Sequence, residues 1–207
     1  MIKVINLDDL EEVSEGLFTF IWDFKHGDNI MYNFEILQAL YKSRESSENP
    51  KLFNKSITIQ LVSIIEAILI DFLTRIDQAT THLPSDVDRK TLDKIKIEIE
   101  KDKRPYKVED GFGEHIYMRR KMYNFNQILQ ILKKHEILGP QKDNIYHLLS
   151  NFADMRNRVH IENYHRNLED REHRVFTSGR LSSLEEVASG LWIKMTIDFK
   201  RPWQTWV

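Results

Sequence analysis

The 207-residue chain contains no cysteine, and it has only seven glycines and five prolines. Without cysteine the chain forms no disulfide, has no thiolate nucleophile and offers no sulfur ligand to zinc. So few turn-forming residues favour long helices over a sheet of many strands. The formal net charge of −2 gives no overall attraction to nucleic acid or to an anionic membrane. Any contact of that kind therefore requires a local patch.

The sequence also lacks a secretion signal. Its first residues, Met1 to Asp9, have neither the basic start nor the long apolar segment of a signal peptide. The most apolar stretch, Ile57 to Ile76, contains Glu66, Asp71 and Arg75, which favours a buried helix of a soluble protein over a membrane span. We therefore predict a cytoplasmic protein that does not enter a membrane.

Common motifs for metals, nucleotides and nucleophilic catalysis are absent from the sequence. Gly111 and Gly113 are too short a glycine pair to form a phosphate-binding loop. His160 and His165 are five residues apart, so they point in different directions on a helix and do not suggest a metal site. We predict no metal and no cofactor. The other histidines that stand in polar surroundings are predicted to be solvated: His82, His115, His135, His147 and His173.

Apolar spacing predicts an all-α fold, a single-domain helical bundle with a long central apolar helix. Residues 1–50 form an N-terminal helical pair, residues 51–200 the main bundle and residues 201–207 an aromatic tail. The alternating segment Lys94 to Glu100 resembles a strand, but helical spacing and the absence of a partner strand favour a helix. Residues Arg104 to Gly113 are predicted to form a loop. The predicted helices run from Asp8 or Asp9 to Phe24, Asp28 or Asn29 to Lys42, Lys55 to Ile76, Arg89 to Lys103, Tyr117 to His135, Lys142 to Asn163, and Ser182 to Phe199.

One of these helices, Lys55 to Ile76, is apolar over more than half of its circumference, as expected in the middle of a bundle. Glu66 lies at the margin of that apolar surface. This glutamate is the obvious internal partner for a cation that another helix directs toward the core.

The helix predicted from Lys142 carries such a cation near its end. At about 100° per residue, Arg156 falls inside the apolar stripe, and His160 falls at its edge one turn later. Burying a charged group without a partner costs roughly several kcal/mol of folding free energy. Arg156 must therefore pair with another side chain or line a site for a ligand. The apolar stripe consists of Ile145, Leu148, Leu149, Phe152, Met155 and Val159.

An arginine and a histidine one turn apart suit cleavage of RNA without a metal ion. Arginine binds a phosphate through two N–H groups, and histidine transfers a proton near neutral pH. In this hypothesis Arg156 binds phosphate, His160 is the acid or base, and Asn157 orients them. The other predicted substrate-binding residues are Asn163, Arg158 and Glu66.

The alternative hypothesis is a structural polar cluster in which Glu66 pairs with Arg156 and a backbone carbonyl accepts a hydrogen bond from His160. The chain would then be a non-catalytic helical module for binding or dimerisation. The sequence leaves both hypotheses open.

Two further segments contain residue types that often contact nucleic acids, one basic and one aromatic. The basic run Met118-Arg119-Arg120-Lys121 could touch phosphates, although a solvated helix face is the default explanation. In the tail, Trp203 and Trp206 could stack on bases, or they could fold back on the core or fill a subunit interface.

The segment from Tyr146 to Asn163, with an arginine, a polar residue and a downstream histidine, resembles the motif of HEPN-type domains. The order of the preceding helices is also similar to that family, over roughly residues 50 to 200. The spacing differs, because the family usually has four to six residues between arginine and histidine. Arg156 and His160 enclose only three.

This resemblance implies a helical bundle, often a homodimer with the two motifs facing each other across the interface. It implies a protein that acts on or binds RNA or a nucleotide, such as the endoribonuclease of a toxin or defence system. In toxin pairs of this family the partner is often a nucleotidyltransferase-like antitoxin.

Overall fold

Helices form the body of the molecule, as the apolar spacing predicts. The computed structural model describes residues 5–21, 24–78, 89–101, 104–110, 113–119, 123–158 and 172–199. The helices are α1 (Leu10–Phe18), α2 (Phe24–Glu45), α3 (Asn54–Gln78), α4 (Arg89–Lys101), α5 (Phe125–Lys134), α6 (Ile145–Asn157), α7 (Glu172–Val175) and α8 (Ser178–Ile197). A 3₁₀ turn, Pro50–Phe53, leads into α3, and strands β1 (Arg104–Asp110) and β2 (Gly113–Arg119) form an antiparallel hairpin. The all-α prediction is confirmed, with this hairpin as an addition.

The central helix of the bundle is α3, which packs against α2, α4, α5, α6 and α8. Its buried apolar residues cover one broad side of the helix, and between Ile57 and Ile76 the residues on the other side are partly buried and none is exposed. This pattern fits a helix in the middle of a bundle. Among the described residues, one helical span, Pro50–Ile76, is long and apolar enough to cross a membrane by length and composition alone. In its most apolar window 61% of the residues are buried inside the molecule, and the core helix of a bundle passes the same test.

The last long helix, α8, runs parallel to α3 and is attached to it at both ends. Near the start of α3, Asn54 Nδ2 donates to the carbonyl of Phe176 at 3.1 Å. At the other end, the fully buried Arg75 donates from Nη1 to the carbonyl of Phe199 at 2.7 Å. The ring of Phe72 packs against Phe199, with 4.6 Å between centroids. Because these contacts join the ends of both helices, they fix the register of α8 along α3.

The first two helices meet at a different place from the one predicted. α1 ends at Phe18, where the Thr19 hydroxyl donates to the Gly16 carbonyl at 2.7 Å, and α2 already begins at Phe24. Phe20 and Ile21 are buried in the connection. Their spacing, which predicts a helix to Phe24, therefore reflects burial of the connecting segment.

The hairpin replaces a predicted loop and the start of a predicted helix. The sequence predicts a loop from Arg104 to Gly113 and a helix from Tyr117, but β2 continues to Arg119. The helix starts only at Phe125, where Asn124 and Gln127 form a reciprocal capping box. The prediction for α4 is confirmed, because Arg89–Lys101 is a helix.

A tyrosine on α6 holds the turn that positions this helix. Tyr146 is buried, and its hydroxyl accepts the N–H of Leu138 at 3.0 Å and lies 2.9 Å from the Gly139 carbonyl, to which it donates. Gly139 has a φ of +134°, a conformation that favours glycine. The turn fixes the beginning of α6 and hence the position of its C-terminal residues.

The last helix starts one turn earlier than its sequence pattern predicts. Thr177 caps α8 by accepting the N–H of Arg180, so the helix begins at Ser178. The predicted capping box at Ser182 lies inside the helix.

Candidate functional site

The end of α6 carries the first of the predicted site residues. Phe152 and Met155 are buried, so they hold this end of the helix on the core. Arg156 follows Met155 directly and is partly buried. The helix ends at Asn157, with Arg158 at the C-cap. It is therefore shorter than the predicted helix to Asn163. His160, which the prediction places one turn beyond Arg156, lies outside the described residues.

Arg156 makes a two-pronged ion pair with Glu66 on the central helix. Arg156 Nη1 lies 2.6 Å from Glu66 Oε2, and Nη2 donates to Oε1 at 3.3 Å. The exposed fraction of the side chain is 27% for Arg156 and 15% for Glu66. The partner proposed from sequence is thus the partner observed, and α3 and α6 are joined by a charge pair at their interface.

The ion pair with Glu66 does not involve the third nitrogen of the guanidinium, Nε. Arg156 Nε is buried and has no hydrogen-bond acceptor among the described residues. A buried unsatisfied donor typically costs about 1–3 kcal/mol. The Glu66 carboxylate balances the charge of Arg156 and contacts both terminal nitrogens, the same two-pronged arrangement that a phosphate would use.

The other predicted site residues follow Arg156 along the chain. Asn157 is exposed and Arg158 is partly buried. His160 and Asn163 lie outside the described residues, as do Trp203 and Trp206 of the tail. The observed part of the predicted site therefore consists of Arg156 and Glu66, flanked by Asn157 and Arg158.

A second polar cluster, which the sequence did not indicate, joins α4 to the end of α5. Glu98 Oε2 accepts a hydrogen bond from Lys134 Nζ at 2.7 Å and lies 2.9 Å from His135 Nε2. The His135 side chain is only 10% exposed, so the prediction that it is solvated was wrong. Burial raises the pKa of Glu98, but the hydrogen bonds and charges of Lys134 and His135 outweigh it and lower the pKa below the usual 4.5.

A third polar contact, this one buried, joins α2 to α8. The Tyr41 hydroxyl donates to Glu185 Oε1 at 2.5 Å, and both residues are buried. Burial, followed by the hydrogen bond and the negative charge of Glu185, raises the pKa of Tyr41 far above its usual value, although Arg44 opposes this shift. Tyr41 thus remains a neutral donor under ordinary conditions. Its distance of 144 residues from Glu185 in the chain explains why no local pattern predicts the pair.

No group of three or more metal-binding side chains is present in the part of the chain that the structure describes. No family model, no curated protein and no solved structure matches the chain. The resemblance to HEPN-type domains therefore remains an expectation from the sequence motif.

Proposed function

We propose that this chain is a HEPN-like helical protein that binds RNA without cutting it, and that the Arg156–Glu66 pair is structural. The observation that carries the non-catalytic half of the proposal is the two-pronged contact between Arg156 and Glu66 at 2.6 and 3.3 Å. The RNA half rests on the sequence resemblance of the segment Tyr146 to Asn163. The proposal combines the two hypotheses that the sequence leaves open.

A phosphate would have to displace Glu66 in order to take over its two-pronged contact with Arg156. That displacement would leave a carboxylate only 15% exposed on the apolar central helix. Separating a mostly buried ion pair costs about 3–5 kcal/mol, whereas an exposed pair contributes about 1 kcal/mol or less. The Arg156–Glu66 pair is partly exposed, so the cost of separating it lies between these two values. We therefore assign Arg156 the role of stabilising the fold.

This assignment predicts that Arg156→Ala lowers the free energy of unfolding by about 1–3 kcal/mol, because Glu66 keeps its charge but loses its partner. Glu66→Gln is expected to cost a similar amount, and the double variant less than the sum of the two. Urea unfolding of the four proteins measures these free energies. Glu100→Gln, an exposed glutamate on α4, is the matched control and is expected to change stability by about 0.5 kcal/mol or less.

Additive effects of the two substitutions would mean that the side chains do not interact in solution. If the Arg156→Ala protein is as stable as the wild type but no longer binds RNA, Arg156 is a ligand-binding residue and not a structural one. Either result contradicts the structural role.

The second candidate function is a metal-independent endoribonuclease in which Arg156 holds phosphate, His160 transfers a proton and Asn157 orients them. One observation favours it: Arg156 Nε is a buried donor without an acceptor among the described residues, and an anionic ligand would supply one. In that function Arg158, Asn163 and Glu66 would contribute to substrate binding.

Incubation with RNA in the presence of a chelator tests this candidate. The proposed binding function predicts no cleavage above background by the wild type or by His160→Ala. Cleavage by the wild type that His160→Ala reduces about a hundredfold or more would overturn the non-catalytic proposal and support the nuclease. Equal cleavage by both proteins would indicate a contaminating nuclease, and Asn151→Ala, an exposed substitution earlier on α6, controls for the purification.

A further inference from the structure

The hairpin places residues of similar chemistry opposite one another on its two strands. In its register Arg104 is opposite Arg119, Tyr106 is opposite Tyr117, and Val108 is opposite His115. Residues that are opposite in an antiparallel pair, and every second residue along each strand, share one face. We call this set the arginine–tyrosine face.

The other face of the hairpin has a different composition. It consists of Pro105 opposite Met118, Lys107 opposite Ile116, and Glu109 opposite Glu114. Counted with the pair Asp110 and Gly113 at the turn, the arginine–tyrosine face has a formal charge of +1 and the other face −1. Both cations of the arginine–tyrosine face are at the open end of the hairpin, far from Asp110.

The register puts two arginine positions directly opposite each other at the open end of the hairpin. Opposed like charges are generally unfavourable in an antiparallel pair, whereas opposed aromatic residues are generally favourable. An anion at the open end would be attracted by the charge of both arginines. The exposed Lys101, where α4 ends, lies three residues before Arg104 and adds positive charge to this part of the chain.

The hairpin also has few neighbours in the molecule. Among the described residues its strands contact each other extensively, whereas their contacts with the helices are sparse. A two-stranded hairpin alone is only marginally stable in water, so it gains stability when another surface covers one of its faces.

We propose that the arginine–tyrosine face of the hairpin is the surface with which this protein binds single-stranded RNA. Bases stack on Tyr106 and Tyr117, and Arg104 and Arg119 bind backbone phosphates, the two interactions that single-stranded nucleic-acid sites combine. Arginine and tyrosine positions on one strand are about 6.8 Å apart, twice the rise per residue. This inference rests on the RNA-binding function proposed above and names its contact surface.

Fluorescence anisotropy tests the proposal, with the intact protein and a fluorescein-labelled single-stranded RNA of about twelve nucleotides. Methylation of its 2′-hydroxyls prevents cleavage, so the measurement reports binding alone. Tyr106→Val and Tyr117→Val retain a residue that favours strands, and each is expected to weaken binding about five- to a hundredfold. Tyr106→Phe and Tyr117→Phe keep the stacking ring and are expected to bind within about twofold of the wild type.

The arginines are tested by the salt dependence of the same binding. Arg104→Gln and Arg119→Gln are each expected to reduce the slope of log Kd against log salt by about 0.7, the value for one phosphate contact on a single strand. Lys107→Gln, on the opposite face of β1, removes the same charge and is expected to leave the slope unchanged. Circular dichroism and thermal melts of every variant establish that the fold is retained.

The outcomes separate this inference from the proposed function. If the wild type binds the RNA but Lys107→Gln weakens binding as much as Arg104→Gln, the face is wrong while RNA binding stands. If the folded wild type binds no RNA, both proposals fail. If polyglutamate displaces the RNA as effectively as unlabelled RNA does, the face binds acidic protein segments and the RNA assignment is overturned.

Discussion

At the scale of single residues, charged side chains in this molecule join elements that are far apart in sequence. Arg156 and Glu66 are 90 positions apart, and His135 and Glu98 are 37 apart. The first pair could be predicted, because an arginine in an apolar stripe needs an acid and Glu66 borders the most apolar helix. The second could not, because His135 and Glu98 lie on helices whose packing no local pattern specifies.

The Glu98 cluster predicts a pH dependence of stability. The pKa of Glu98 is lower in the folded than in the unfolded protein, so its carboxylate stabilises the fold above the unfolded value near 4.5. That stabilisation is lost as the pH falls through the lower, folded-state pKa. Glu98→Gln is therefore expected to cost about 0.5–1 kcal/mol at neutral pH and close to nothing well below pH 4.5.

Urea unfolding of wild type and Glu98→Gln across this pH range measures the difference in the free energy of unfolding. Glu100→Gln, at an exposed position two residues further along α4, provides the comparison and is expected to show no such dependence. A difference between Glu98→Gln and wild type that stays constant from neutral to acid pH would contradict the role of the carboxylate charge.

At the scale of elements, the sequence predicts the helices better than the connections. The sequence predicts the central helix α3 almost to its ends, from Lys55 to Ile76 against the observed Asn54–Gln78. A long segment with apolar residues at helical spacing over much of its circumference fits a central helix and few other structures. The hairpin was missed, although Asp110-Gly111 between Val108 and Ile116 is a hairpin signal. The sequence pattern places Tyr117 at the start of the following helix, but Tyr117 lies in β2 and the helix begins at Phe125.

Two glycines within helices predict opposite effects of the same substitution. Gly190 lies in α8, and a Cβ atom placed there has no atom within 4 Å. Gly190→Ala is therefore expected to raise the free energy of unfolding by about 0.5–1 kcal/mol, because alanine favours a helix over glycine. At Gly16 in α1 the same atom would lie 2.7 Å from Trp192 Cζ2.

Gly16→Ala is expected to destabilise by about 1–3 kcal/mol, because the Trp192 ring is held edge-on by Phe20 and Phe34 and cannot easily move. Thermal unfolding compares the two variants, with about 2–4 °C in Tm for each kcal/mol in a chain of this size. If both substitutions shift Tm in the same direction, the packing of α1 against Trp192 is not as described.

At the scale of the whole molecule, the resemblance to HEPN-type domains predicts a homodimer. Light scattering during size-exclusion chromatography is expected to give a mass twice the 24.8 kDa of the chain. A protein that remains a monomer throughout the accessible concentration range would contradict this prediction. A nucleotidyltransferase-like partner is a separate expectation, which co-purification of neighbouring gene products with the tagged chain tests.

The same resemblance implies a defence role, whereas the cytoplasmic location is predicted from the first residues and from the charges within the most apolar segment. Both remain predictions. The helical bundle could be predicted because the spacing of apolar residues along the sequence indicates its helices. The arrangement around Arg156 depends on where α6 ends, which is set by tertiary contacts that the spacing does not contain.

The contacts between Arg75 and Phe199, and between Asn54 and Phe176, have a consequence for the newborn chain. Their partners are separated by 124 and 122 residues. A ribosome adding about 5–20 residues per second leaves the most apolar helix without its covering neighbour for about 6 seconds or longer. Throughout that interval the apolar side of α3 that α8 covers in the folded protein stays exposed. Chaperone binding or rapid completion of translation would limit aggregation through this surface.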